Sequence, residues 1–281
     1  MGGAKHHIPG IRPLGSLLVT AVIAYGVVVG AAYLFQRHLV YFPSSGHGAL
    51  QPDDFHVPEM RAVTLRTDDG LTLTSWYAAA QAGRPTMVYF HGNGGHLGWR
   101  GRKVRNYLDA GMGLLLVSYR GYGGNPGVPS EAGLYADGRA ALAFLNQDGV
   151  EDANMVLYGE SLGTGVAVEM ARGREVAALV LEAPPTSIVA VGQSQYWFLP
   201  VRLLAREIYD SAAKIGEVRA PILIVHGRRD RIVPIKFGRQ LFDLAPEPKE
   251  FSEIPDAGHN DLYDHGAAER VQAFLRRNLD F

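Results

Sequence analysis

Three side chains in the second half of the sequence have the types needed for nucleophilic acyl transfer: a serine, then an acid, then a histidine. Ser161 sits in Gly159-Glu160-Ser161-Leu162-Gly163, directly after an apolar run and ahead of a helical stretch. In that context the G-x-S-x-G spacing reads as a sharp strand-to-helix turn that lifts the hydroxyl clear of a sheet. The glycines two residues either side let chains pass where a Cβ would collide. A bland reading makes Ser161 only the N-cap of the following helix. A serine hydroxyl is a weak nucleophile at neutral pH and needs a base, and the base needs a partner that fixes its tautomer. In strand–turn–helix sites of this kind the acid and then the base follow the serine in the chain. Asp230, four residues beyond an apolar run ending at His226, is the expected acid; its dull alternative is a helix-start charge or a partner for Arg228 or Arg231. His259, in Asp256-Ala257-Gly258-His259-Asn260-Asp261, is the expected base, with His265 and His226 as competitors. Asp256, Asp261 and Asp264 lie close to His259 in sequence, but an orienting acid normally arrives from a separate loop, which favours Asp230.

Acyl transfer also creates an oxyanion, best held by two backbone N–H groups. The residue after the nucleophile, Leu162, offers one. The other is expected from the loop His91-Gly92-Asn93-Gly94-Gly95-His96, with the Asn93 N–H as donor. A phosphate cradle is the competing reading of those glycines, but no Gly-Lys-Ser/Thr follows them, and Gly163-Thr164-Gly165 lacks the third glycine of a dinucleotide fingerprint. Ser211 and Lys214 match S-x-x-K without the other motifs that give it meaning, so Ser211 reads as a helix-start serine. The chain has no cysteine, which removes a thiol nucleophile, disulfides and Cys-ligated zinc. It has no H-E-x-x-H, and His6-His7 precede the long apolar segment, so no metal and no cofactor are expected.

These residues need a scaffold, and the sequence supplies alternating strands and helices. Residues 61–66 and 71–77 flank Asp68-Asp69-Gly70, a hairpin signal. Short apolar runs at 86–90, 113–119, 154–158, 177–181 and 222–226 read as strands buried on both faces, with a last strand at 251–255. Helical stretches fall at 99–108, 131–146, 162–172 and 235–244. Strand and helix in repeated alternation predict an α/β three-layer sandwich around a mostly parallel sheet, with function in the loops after the strands' carboxyl ends. Residues 61–281 form one domain after a linker at 36–60, and 184–217 is long enough for a small lid. Its Tyr196-Trp197-Phe198-Leu199-Pro200 either helps hold an acyl chain or packs the core.

Residues 14–35 carry no charge. As a helix they span about 33 Å, enough for a hydrocarbon core of roughly 30 Å. A transmembrane anchor after an N-terminal flank of residues 1–13 is the expectation; a cleaved signal peptide, with Gly30-Ala31-Ala32 as the cleavage site, is the alternative. Lys5 and Arg12 precede the span and Arg37 follows it, which places the N-terminus in the cytoplasm and the domain outside. A net charge of -1 and the absence of any Lys/Arg block argue against a nucleic-acid partner.

Taken together, Phe90-His91-Gly92-Asn93-Gly94-Gly95, Ser118-Tyr119-Arg120-Gly121-Tyr122-Gly123, Pro129-Ser130-Glu131, the Ser161 pentapeptide, His226-Gly227 with Asp230 and Val233-Pro234, and Gly258-His259-Asn260 resemble the serine-aminopeptidase-like branch of the α/β-hydrolases. The H-G-N-x-G and Y-R-G-Y-G pair is similar to a sub-branch whose members often carry one N-terminal membrane span. The resemblance covers roughly residues 34–281 and implies the α/β-hydrolase fold and the triad Ser161, Asp230 and His259. The family holds esterases, lipases, thioesterases and peptidases, so the motifs do not fix the substrate; the leading expectation is hydrolysis of acyl esters or thioesters of a small-molecule or lipid-like substrate through an acyl-enzyme at a membrane surface. Amide or peptide cleavage by the same residues is the alternative, separable by comparing aminoacyl amides with short acyl esters. A membrane-tethered scaffold without turnover is a third possibility, separable by whether a fluorophosphonate labels Ser161.

Overall fold

The apolar runs become the strands of one eight-stranded sheet in a computed structural model of the chain, which describes residues 11–44 and 50–279. In chain order they are β1 (Arg61–Arg66), β2 (Thr72–Ala78), β3 (Thr86–Phe90), β4 (Gly113–Val117), β5 (Met155–Glu160), β6 (Ala178–Glu182), β7 (Ile222–Gly227) and β8 (Lys249–Ile254). Across the sheet the order is β8-β7-β6-β5-β3-β4-β2-β1. The β1–β2 and β2–β4 pairs are antiparallel and every other pair is parallel. This is the α/β-hydrolase fold expected from the sequence. Every residue of β3, β4, β6 and β7 is buried, as a parallel sheet covered on both faces requires.

Alternation along each strand divides the core in two. Val88 and Phe90 of β3 face one layer, packed with Leu134, Leu142, Val166 and Leu241 from helices α3 (Glu131–Gln147), α4 (Leu162–Ala171) and α8 (Ile235–Leu244). Met87 and Tyr89 face the other layer, packed with Val104, Tyr107, Val271 and Phe274 from α2 (Gly101–Asp109) and α9 (Ala267–Asn278). Between β6 and β7 lie three short helices, α5 (Ile188–Gln195), α6 (Val201–Leu204) and α7 (Ser211–Lys214). Ser211 opens α7, but its cap is Asp210, which accepts from the Ala213 N–H; Lys214 bonds Glu169 and Tyr135.

The N-terminal helix α1 runs from Ile11 to Val40, and its apolar length is exposed, with a mean hydropathy of 2.2. It continues past residue 35, where a linker was expected. The polar residues there do not break the helix because they are bonded to the domain: Gln36 Nε2 to the Leu204 carbonyl at 3.1 Å, and Arg37 Nε to Glu207 at 2.8 Å. Tyr41 is buried, and Phe42–Pro43 pair in parallel with Gly94–Gly95. Residues 36–44 are thus part of the domain, and Pro52–Phe55 form a 3-10 turn. Lys5, His6, His7, Ser45, Gly46, Gly48 and Phe281 lie outside the described residues, as does the side chain of Arg12.

Candidate active site

β5 runs through Gly159 and Glu160 and turns at once into α4, with Ser161 at φ 50 and ψ -114. A non-glycine residue there stores strain, about 1–3 kcal/mol. The turn is fixed on both sides: the Ser161 N–H donates to the Glu182 carbonyl of β6 at 2.8 Å, and the Ser161 carbonyl accepts from the Thr164 N–H at 3.0 Å. Neither flanking glycine has room for a side chain. A Cβ on Gly159 would stand 2.5 Å from Thr164 Cα, and one on Gly163 would stand 2.1 Å from the Phe90 carbonyl oxygen.

The loops after β7 and β8 bring the acid and the histidine to the serine. His259 Nε2 lies 2.9 Å from Ser161 Oγ, and His259 Nδ1 lies 2.6 Å from Asp230 Oδ2. An Nδ1–H donated to Asp230 leaves Nε2 free to accept the serine proton. The other carboxylate oxygen of Asp230 accepts the N–H groups of Ile232 and Val233, both at 2.8 Å. Burial pushes the Asp230 pKa up, but hydrogen bonds from His226 and His259, the nearby His259 ring and the Val233 N–H outweigh it and hold the carboxyl well below its ordinary value.

The competitors are occupied elsewhere. Asp256 pairs with Arg229, Asp261 accepts the Gly258 N–H and lies 3.7 Å from His265, and Arg228 pairs with Glu253 rather than Asp230. His226 is fully buried beneath the acid, its Nε2 2.8 Å from the Val233 carbonyl and 3.3 Å from Asp230 Oδ2. It braces the acid's loop from below. Gly238 makes space for the ring, since a Cβ there would stand 2.3 Å from His226 Nδ1.

Leu162 and Asn93 border the same space as Ser161. The Asn93 carbonyl accepts from the Phe42 N–H at 2.9 Å and from Tyr122 Oη at 2.8 Å, and its side chain donates to the Val40 carbonyl at 3.0 Å. The Asn93 carbonyl and side-chain amide nitrogen are thus committed to holding the loop. Beneath the loop, Arg100 makes two bonds to Glu160, at 3.1 and 3.0 Å, and one to the Gly94 carbonyl at 2.9 Å. It ties the serine turn to the glycine loop. Glu160 also accepts from Tyr89, and Lys103 links it to Glu182. Burial pushes Glu160 up, yet Lys103 and Arg100 outweigh burial and hold it ionised. Sequence reasoning missed this network; a Glu inside the pentapeptide gives no sign of its partners Arg100 and Lys103, some sixty residues earlier.

Ser161 stands between two hollows. One, of about 310 Å³, is walled by α1 (Ala32, Gln36, Leu39), α5 (Ile188, Val191) and Leu199. The other, of about 750 Å³, mixes apolar walls (Phe42, Trp99, Ile232) with His259, Arg102, Lys103 and Asn106. Trp197 is 80% exposed and Phe198 47%, so these aromatics do not pack the core; Tyr196 and Leu199 face the first hollow instead.

Sequence and structure comparisons place the chain among known proteins. The family pattern described as serine aminopeptidase, S33, matches residues 81–206. The uncharacterized protein Rv2307c of Mycobacterium tuberculosis is 40% identical over 253 residues, covering 89% of each chain. Protein bem46 of Schizosaccharomyces pombe is 34% identical over 281 residues, 94% of this chain and 92% of its own. Among solved structures, the Pyrococcus furiosus esterase Pf2001 superposes with a TM-score of 0.68 at 20% identity, covering 86% of this chain and 99% of its own, a likeness of fold.

Proposed function

Because the chain belongs to the α/β-hydrolase superfamily, in its serine aminopeptidase S33 family, we propose that it hydrolyses acyl esters or thioesters through an acyl-enzyme on Ser161, beside a membrane that α1 crosses. One observation carries this reading: the Ser161 hydroxyl, hydrogen-bonded to His259, stands at the border of an apolar hollow and a second one that carries charged side chains. The acyl chain occupies the apolar hollow and the leaving group the one with charged side chains. Ser161 Oγ attacks the acyl carbon as its proton passes to His259 Nε2, and Asp230 holds the ring and stabilises the imidazolium. The N–H groups of Leu162 and Asn93 hold the oxyanion. The tetrahedral intermediate collapses, the C–O or C–S bond breaks, and His259 returns its proton to the leaving alkoxide or thiolate. Water, deprotonated by His259, then attacks the acyl-enzyme and releases the acid and Ser161.

The acyl hollow favours this over removal of an amino-terminal residue. Among its described lining residues the one carboxylate is Glu207, and Arg37, Tyr41 and the Glu131 N–H already engage it. A substrate ammonium would find no free counter-charge there. We place the N-terminus in the cytoplasm from Lys5 and Arg12 ahead of the span; a reporter fused after Phe281 should be active outside, and activity only inside reverses the orientation. The reaction is tested by a panel of esters, thioesters and amides of graded acyl length on the purified full chain. Turnover of esters or thioesters that rises with acyl length, and vanishes in Ser161→Ala, is the expected result. Preference for aminoacyl amides, or full activity in Ser161→Ala, overturns the reading.

A further inference from the structure

We infer that the outer face of the segment between α5 and Tyr209 inserts into the same bilayer leaflet as the second half of α1, so that the acyl hollow opens toward lipid rather than water. The inference rests on α1 being the membrane anchor. It begins from where the segment lies. Tyr25 Oη donates to the Phe198 carbonyl at 2.8 Å, Gln36 bonds the Leu204 carbonyl and the Arg206 N–H, and the Arg206 guanidinium lies 4.2 Å from the centre of the Tyr33 ring. Residues 198–207 therefore run alongside α1 from Tyr25 to Arg37. Tyr25 is ten residues before Phe35, about 15 Å along the helix axis. If the apolar stretch of α1 sits in hydrocarbon, the chain at Phe198 sits beside it.

The segment's side chains fit that medium. Trp197 is 80% exposed, Leu203 86% and Phe198 47%, and Trp197 and Leu203 line neither hollow. Large apolar groups turned outward together mark a contact surface. The cations fall nearer the α1 end at Arg37: Arg206 stacks on Tyr33, and Arg202 is exposed on a long stem that lets its charge reach the headgroups. Much of the backbone fits as well. Hydrocarbon offers no partner to a free amide or carbonyl. Here Tyr196, Leu199, Val201, Leu203, Leu204 and Ala205 each donate their N–H to a carbonyl within residues 192–201. The Leu199 carbonyl also accepts from Gln193, just as those of Phe198 and Leu204 accept from α1. Because α1 and α5 both wall the acyl hollow, a chain leaving the leaflet meets Ser161 without crossing water.

The absence of cysteine allows single labels on the full chain. Trp197→Cys, Leu203→Cys and, as a control, Glu151→Cys carry a nitroxide in phosphatidylcholine vesicles. Glu151 is exposed just before β5, at the opposite end of the strands from Ser161. Flotation is measured first, then the accessibility of each label to oxygen and to a neutral nickel chelate. The expected result is that labels 197 and 203 meet oxygen far more than nickel, while label 151 shows the reverse. Labels 197 and 203 matching 151 in a floating protein overturns the insertion while leaving the anchor intact. Dipolar broadening between labels at 197 means a second copy covers the face, and also overturns it. A chain that does not float removes the anchor and this inference together. In the same vesicles, Trp197→Ser with Leu203→Ser should lower kcat/KM on a bilayer-embedded long-chain ester by about tenfold, with hydrolysis of a soluble short-chain ester unchanged.

Discussion

Ser161 adopts a backbone conformation that few side chains tolerate, and its neighbours fix it there. The Gly163 Cα lies against the Phe90 carbonyl, so Gly163→Ala places a methyl 2.1 Å from an oxygen that belongs to the central strand β3. Overpacking of this kind costs about 1–3 kcal/mol or more, and here neither partner can swing away. Gly163→Ala should therefore lower the urea midpoint and abolish turnover together, whereas a helix-face change such as Ala167→Gly should affect stability alone. The serine, acid and histidine were readable from the sequence because each belongs to a loop directly after a strand, and strands are legible as apolar runs. His226 was less so. It reads as a strand-end histidine, and only folding shows that it lies under Asp230, in space left by Gly238 twelve residues later.

At the scale of elements, the site depends on pieces that contribute no reacting atom. Arg100, in the turn before α2, bonds both Glu160 and the Gly94 carbonyl. Arg100→Met leaves a buried carboxylate with Lys103 at 3.6 Å as its remaining cation. The expected cost is about 3 kcal/mol, read from urea unfolding. Because the glycine loop loses its tie, kcat should fall more than KM changes. The end of α1 has a comparable role, since Val40 and Phe42 bond Asn93. A chain truncated through Phe42 should lose turnover even on soluble esters, while one truncated through Ala31 should keep it. Equal activity of the two chains would show that Asn93 needs no support from α1. This junction was hidden in the sequence because Gln36, Arg37 and His38 look like the polar end of a membrane span. The partners of Gln36 and Arg37 (Leu204, Arg206 and Glu207) are some 170 residues away, beyond the reach of local pattern.

At the scale of the whole molecule, the two apolar layers were legible and the polar groups buried within them were not. His91 is fully buried against Tyr119 and Tyr122, and burial, reinforced by the Arg100 charge, pushes its pKa down to about 3. A histidine whose folded pKa lies below its unfolded value near 6.5 contributes full stability above that value. The contribution is lost as pH falls, because the unfolded chain takes up the proton first. The slope approaches about 1.4 kcal/mol per pH unit between roughly 6 and 4. Urea midpoints measured across that window should fall with acid, and His91→Asn should flatten the dependence. The exposed apolar length of α1 also belongs to this scale. Its composition predicted a span, but only the fold shows that this helix walls the cavity beside Ser161.

The central claim is that Ser161 is the nucleophile and His259 its base. Mass mapping of the full chain after reaction with a fluorophosphonate tests it most directly. The account predicts one phosphonylated peptide, modified at Ser161, with no label in Ser161→Ala and labelling slowed at least about a thousandfold in His259→Gln. Ester turnover that persists while Ser161 stays unmodified, or labelling unaffected by loss of the His259 ring, would contradict it.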